Sequence, residues 1–366
     1  MRRPWDRLVL FALAAGFVVT GARGEWRGVD LSYVNELEDC GAVYRSGSAS
    51  VDPYALFAGS GANLVRLRLW VAPTWTDYST LEDVTKSMRR ARSAGMTVLL
   101  DFHYSDDWAH PGKQLRPAGW PASDDVEALA AQLHDYTKET LEALERSAGL
   151  PDIVAVGNEI NTALLVDEET AVDAPIDWSR KAHLLQAGIA AVRDVSRVSG
   201  HPMDVMLHVA QPENVQGWFD AALDHGVSDF DVIGISYYPK WSRVPLAELG
   251  DTLRALKERF ERRVAIVETA YPWTLDSRDS AGNLLGADSL ETAYAATPDG
   301  QAAFLRDLRA SVRRAGGEGV IYWEPAWVTS SCETRWGKGS HWENATLLDF
   351  DHRLLPGAAA LLAPHP

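Results

Sequence analysis

Two glutamates hold most of the chemistry that this sequence offers. Glu159 stands in Val-Gly-Asn-Glu-Ile and Glu268 in Ala-Ile-Val-Glu-Thr-Ala, each just past a short apolar run where a buried strand would end. They lie 109 residues apart, too far for one loop and about the span of three βα units. Two carboxyl groups brought together by two strand ends are what glycosidic bond cleavage requires. One attacks the sugar or activates water, and the other protonates the leaving oxygen. Strand-end acids also gather in plain ion-pair networks, so the pair alone leaves a structural role open.

The elements that would position the pair can be read from the apolar runs. Eight of them have the length of buried strands: Gly28–Leu31, Leu64–Trp70, Thr97–Phe102, Ile153–Gly157, Val205–Val209, Val232–Tyr237, Val264–Val267 and Gly319–Trp323. Between them, Ala128–Leu144 and His183–Val195 repeat apolar residues at helical spacing. Arg89–Gly95 reads as a helix ending at glycine, and Gly217–His225 as a further helical segment. Strands alternating with helices predict parallel βαβ units, and eight of them close a (β/α)8 TIM barrel. The rival is an open doubly wound sheet. It needs a glycine-rich first turn, which Gly28-Val29-Asp30 does not provide. No repeat or linker divides residues 25–366, which are read as one domain. In such a barrel the active site lies past the C-terminal ends of the strands. The residues there include Asp30, Arg66, Arg68, His103, Tyr104, Asn158, His208, Tyr237, Tyr238, Trp323 and Glu324. Arg66 and Arg68 share one face of a strand. Only one of them need reach a carboxylate: Arg66 could keep Glu268 ionised and oriented, and Asn158 could reach a sugar hydroxyl.

Composition narrows the partners. The net charge of −16 argues against nucleic acid and anionic membrane surfaces, and disfavours a polyanionic substrate. Fourteen tryptophans could serve as stacking surfaces for sugar rings or as core filler. Residues 1–24 have the layout of a signal peptide. Arg2, Arg3 and Arg7 precede the thirteen-residue apolar run Leu8–Thr20, and small residues follow at Gly21, Ala22 and Gly24. The run is short for a membrane span. The mature protein is therefore expected to be secreted or periplasmic, free of the membrane after cleavage, and a monomer. Cys40 and Cys332 are the only cysteines. They follow the first and last strands, which become neighbours when the barrel closes, so a disulfide between them is geometrically open.

Six motifs occur in order: Val-Arg-Leu-Arg-Leu-Trp, Asp-Phe-His-Tyr-Ser-Asp, Gly-Asn-Glu-Ile, Gly-Ile-Ser-Tyr-Tyr-Pro, Val-Glu-Thr-Ala-Tyr and Tyr-Trp-Glu-Pro-Ala-Trp. Together they closely resemble glycoside hydrolase family 53, the arabinogalactan endo-β-1,4-galactanases, from about Arg27 to Asp351. The resemblance implies a retaining enzyme that cleaves galactan side chains of pectin without a cofactor. Glu159 would be the acid/base and Glu268 the nucleophile. Arg66, His103, Asn158, Tyr237 and Trp323 would line the subsite of the cleaved sugar. Trp108 and Trp342 would contact substrate in the cleft, and Asp30 would either touch substrate or support residues that do. Some family members bind calcium near the segment that here contains Asp276, Asp279 and Asn283, so that loop is a candidate metal site. Two departures stand out. His110 replaces the usual aspartate, and Asn161–Val166 lacks the usual tryptophan, which puts a distal subsite in question. A retaining hydrolase of another neutral β-linked polysaccharide, such as mannan or glucan, and a non-catalytic carbohydrate-binding barrel remain the alternatives.

Overall fold

The computed structural model describes residues 24–364; the expected signal peptide lies almost wholly outside them. Eight parallel strands close a barrel. They are β1 Trp26–Asp30, β2 Leu64–Leu69, β3 Thr97–Phe102, β4 Ile153–Val156, β5 Asp204–Ala210, β6 Val232–Ser236, β7 Arg263–Glu268 and β8 Gly319–Tyr322. Strand β1 pairs with both β2 and β8, which closes the ring.

Side chains alternate along each strand, and the inward-facing set changes character from bottom to top. At the bottom Trp26, Leu64, Leu99, Ile153, Met206, Val232, Ala265 and Ile321 form an apolar plug. Gly28 sits in this plug because a Cβ there would come within 2.6 Å of Ile321 Cγ1. Two residues further along, the same faces carry Arg66, Asp101 and His208, and four residues beyond Val232 comes Ser236, all buried. A register shift between β6 and β7 sets Glu268 opposite Ser236. The barrel thus builds a dry base beneath a polar mouth.

Nine helices are present among the described residues: α1 Val34–Asp39, α2 Pro53–Gly59, α3 Leu81–Ser93, α4 Val126–Ser147, α5 Trp178–Ser199, α6 Pro212–Asp224, α7 Leu246–Phe260, α8 Pro298–Arg314 and α9 Pro356–Leu362. Their ends follow local chemistry. The Thr80, Asp125, Asp177 and Thr297 side chains accept N–H groups of the first turns of α3, α4, α5 and α8. Helix α5 stops at Gly200, whose φ of +71° suits a left-handed cap. The four expected helical segments all lie within or across longer helices. The short α1 and α2, and two hairpins at residues 45–50 and 333–338, have no counterpart among the expectations. They are too short for a periodic pattern to emerge.

Cys40, at the end of α1, forms a disulfide with Cys332 in the loop after β8, with Cα atoms 5.3 Å apart. No helix among the described residues is long and apolar enough to cross a membrane.

Candidate active site

Arg66 is the hub of the barrel mouth. Its Nη1 lies 2.6 Å from Asp30, and its Nη2 lies 2.7 Å from each of Asp101 Oδ2, Glu268 Oε1 and Asn158 Oδ1. The guanidinium is almost fully buried, so its planar fork of donors is spent on fixing neighbours. Burial acts to raise the Asp101 carboxyl, but Arg66 and His103 outweigh it and hold the group down, to about 2. A buried cation contacted by three acids is tolerable because each contact is short and those to Asp30 and Asp101 are also hydrogen bonds.

Glu159 leaves β4 through a sharp turn. Gly157 has φ +90° and Glu159 itself φ +44°, a left-handed conformation that a branched backbone avoids. The turn is held from several sides. Gln114 Nε2 donates to the carbonyls of Asn158 and Glu159, at 2.9 and 3.1 Å. Trp218 Nε1 and Lys181 Nζ both donate to the carbonyl of Ile160, at 2.8 and 2.5 Å. Lys181 pairs with no acid among the described residues, and burial pushes its ammonium well below the ordinary lysine value.

The two carboxyl groups are close but differently served. Their oxygens approach within 4.8 Å. Glu268 is buried, with Oε1 on Arg66 and Oε2 accepting from the Tyr238 hydroxyl at 3.1 Å. Glu159 is partly open to the cleft, and its Oε1 accepts from the Ser236 hydroxyl at 2.6 Å. Burial raises both carboxyls above their ordinary range, and Glu159 and Glu268 resist being ionised together. The pair therefore titrates as a unit. With a guanidinium 2.7 Å from one member, the single charge belongs on Glu268 and the proton on Glu159. The arrangement suits a nucleophile beside an acid.

Above them opens a cleft of about 1340 Å³, whose lining includes eight tryptophans. Trp323 meets Trp342 edge-to-face at 4.6 Å, and the Trp342 indole donates to the Trp323 carbonyl. Arg68 packs against Tyr33, Trp70 and Trp108, the last at 4.1 Å, which braces the Trp108 face at the cleft. Its Nη1 lies 3.5 Å from the buried Glu324. The lining also includes Trp178, Trp218 and the exposed Trp241.

A family model described as glycosyl hydrolase family 53 matches residues 26–361. The chain belongs to glycosyl hydrolase family 53. It is 51% identical over 341 residues to an arabinogalactan endo-beta-1,4-galactanase of Cellvibrio japonicus, covering 93% of this chain and 91% of that one. A solved family 53 catalytic domain from Ignisphaera aggregans superposes with a TM-score of 0.84 at 32% identity, covering 94% of this chain and 97% of the other. A solved fungal beta-1,4-galactanase gives 0.78 at 29%, covering 93% and 99%.

Most residues expected at the site of this family 53 barrel converge there, though not all as expected. Glu159, Asn158, Glu268, Trp108, Trp323 and Trp342 line the cleft. Arg66, not Arg68, reaches Glu268. Asp30 is buried against Arg66, in the supporting role rather than as a surface for sugar. His103 is enclosed as well: Nε2 lies 3.2 Å from Asp101, and Nδ1 accepts the Ala109 amide. The tyrosine expectation is corrected. Tyr237 turns outward, and its hydroxyl donates to Glu291, while Tyr238 faces Glu268. Adjacent residues leaving a strand point to opposite sides, and the sequence gives no parity for the exit. Asp101, His208 and Ser236 had no assigned role in the sequence reading. Asp101 could have been found from period two, since it lies two residues before His103 on the same inward face.

The acids of the candidate calcium loop do not form a cluster. Asp279 accepts the amides of Ala281 and Ser340, Asp276 is exposed, and Asp288 pairs with Lys240. The Asn283 side-chain oxygen is buried without a partner, but these acids do not converge on it to form a cage. Glu343 instead ties the two long loops together, accepting from Ser277 and Arg278 on one loop and Thr329 on the other. Asn344, within a glycosylation pattern, is buried and donates to Thr274 and Leu285, so its side chain is committed inside the protein.

Proposed function

We propose that this chain is a secreted, retaining endo-β-1,4-galactanase acting on the (arabino)galactan side chains of pectin. The observation that carries the mechanism is the approach of the Glu159 and Glu268 oxygens within 4.8 Å. An oxygen–oxygen approach of that size accords with the ~5–5.5 Å carboxyl spacing of double displacement rather than the ~6.5–9.5 Å of the inverting arrangement. The galactan substrate is supported by the likeness to the Cellvibrio japonicus enzyme. A cleft of about 1340 Å³ that holds both acids and eight tryptophans has room for several sugar rings, which supports attack within a chain rather than at its end.

In this reading Glu268, oriented by Arg66 and Tyr238, attacks the anomeric carbon as the bond to the leaving oxygen breaks. Glu159 gives that oxygen its proton. Glu159, now a carboxylate, then takes a proton from water, whose oxygen displaces Glu268 and releases the sugar with its original configuration. Trp323 and Trp342 offer faces for the sugar ring, and Trp108 extends the platform along the cleft. No cofactor takes part. Secretion rests on the leader-like residues 1–24, and the protein is read as a monomer.

The test is the first product formed from linear β-1,4-galactan, followed by NMR. The β-anomer of a galacto-oligosaccharide is expected to appear first; an initial α-anomer refutes double displacement. Turnover of mannan or β-glucan in preference to galactan would overturn the substrate. In Glu159→Ala, added azide should restore turnover of an aryl galactobioside as the β-glycosyl azide, and Glu268→Ala should give no such rescue.

A further inference from the structure

His208 and Ser236 point into the mouth from β5 and β6, both fully buried, and the chemistry above makes no use of His208. Ser236 Oγ stands between two partners, 2.6 Å from Glu159 Oε1 and 2.8 Å from His208 Nε2. His208 Nδ1 lies 2.9 Å from Asn158 Oδ1. The Asn158 amide has a fixed orientation, because Nδ2 donates to the Ala109 carbonyl at 2.8 Å and Oδ1 accepts from Arg66 at 2.7 Å. Its oxygen has no proton to give, so His208 Nδ1 carries the hydrogen of that contact. The Glu159 amide also faces Nδ1, but at 3.4 Å it is the weaker claim.

A second proton on the ring is opposed. Burial, then Arg66 of β2 and His103 of β3, push His208 down to about 3 against the pull of Asp101. Glu159 and Glu268 face the ring from β4 and β7, within 4.8 Å. The ring is therefore neutral and Nε2 is a bare acceptor. One hydroxyl hydrogen on Ser236 now stands between two acceptors and can serve only one. The remaining contact is satisfied only when Glu159 supplies a proton.

We propose that Ser236 and His208 are positioning residues that follow the charge on Glu159. Ser236 rests with its hydrogen on His208 Nε2 while accepting the Glu159 carboxyl proton, and swings that hydrogen to Glu159 Oε1 when Glu159 ionises. The inference rests on the acid/base reading of Glu159. The proton balance is simple. Glu159 gives its proton to the leaving oxygen as the C1–O bond breaks, and the Ser236 O–H bond rotates without breaking. Water later returns a proton to Glu159, and the hydroxyl swings back. His208 keeps its Nδ1 hydrogen throughout.

The variants should move the pH profile in opposite directions. Ser236→Ala removes the donor to ionised Glu159, so the alkaline limb of kcat/KM should rise by about one pH unit. Deglycosylation, which needs Glu159 as a base, should slow about tenfold. His208→Phe removes the resting acceptor and leaves the Ser236 hydrogen on Glu159, so the limb should fall by about one unit. Ser236→Thr keeps the hydroxyl and should retain the wild-type limb. A limb unmoved in Ser236→Ala, or moved the same way in Ser236→Ala and His208→Phe, overturns the proposal. Should His208→Phe fail to fold, Ser236→Ala and Ser236→Thr decide alone, and equal limbs in those two overturn it. Azide rescue of Glu159→Ala reads the parent assignment separately. Rescue together with unmoved limbs removes only the role of Ser236 and His208, while absent rescue removes both readings.

Discussion

Replacing Tyr238 by phenylalanine deletes one oxygen from the candidate site. The ring should stay, because it packs edge-on to Trp241 at 5.1 Å and Trp342 at 6.1 Å. What is lost is the 3.1 Å hydrogen bond to Glu268 Oε2. Bonds to charged groups contribute ~1.5–3 kcal/mol, and this one belongs at the low end because it is long and Arg66 keeps the other oxygen. The hydroxyl favours the ionised form, so its removal raises the Glu268 pKa. At 1.36 kcal/mol per unit the rise is about one pH unit. Activity needs Glu268 ionised, so the acidic limb of kcat/KM should move up by that amount. At the optimum kcat/KM should fall about tenfold. The assay is initial rate on an aryl galactobioside across pH, with Tyr237→Phe as the control. Tyr237 donates to Glu291 on the far side, so that variant should lose about 1 kcal/mol of stability and leave both limbs in place. A limb that moves in Tyr237→Phe but not in Tyr238→Phe refutes the assignment of the two tyrosines.

Three further expectations can be checked by melting and rate measurements. Cys40→Ser with Cys332→Ser releases a bridge between residues 292 apart; unfolding by denaturant should show a loss of about 2–5 kcal/mol with kcat little changed. Lys181→Met removes the donor to the carbonyls of Ile160 and Thr162, and should lower stability by about 2–3 kcal/mol and kcat with it, since the turn bearing Glu159 loosens. A drop in stability without loss of kcat would uncouple Lys181 from that turn. Treatment with a calcium chelator should leave Tm unchanged, because Asp279 and Glu343 are committed to protein donors; a fall of several degrees would contradict that account.

The barrel was legible in the sequence because each strand is a dense apolar run bounded by polar residues, a pattern imposed by burial on both faces. Glu159 and Glu268 were legible for the same reason, as charges placed where such runs end. What escaped the sequence was contact. Whether Tyr237 or Tyr238 looks inward depends on how the chain leaves β6, beside the register shift against β7. That Asp30 is enclosed rather than open to sugar depends on Arg66, 36 residues away, and that His103 is enclosed depends on how the loop after β3 folds the Ala109 amide back onto it. Ser236 looked like an ordinary small strand residue, and only the folded barrel brings it to Glu159.

The left-handed backbone of Glu159 is not alone. Tyr104, Gln211 and Glu324, with φ of +48°, +59° and +48°, leave β3, β5 and β8 in the same way. Four strands thus leave the barrel through a non-glycine residue in a conformation that costs ~1–3 kcal/mol. The mouth is the loaded end of the molecule, like a drawn spring, and the apolar base bears the load. Attempts to harden this protein against heat by relaxing those exits would work against the geometry that aims its acids. The outer helices and the base offer rigidity that the mouth does not have to give up.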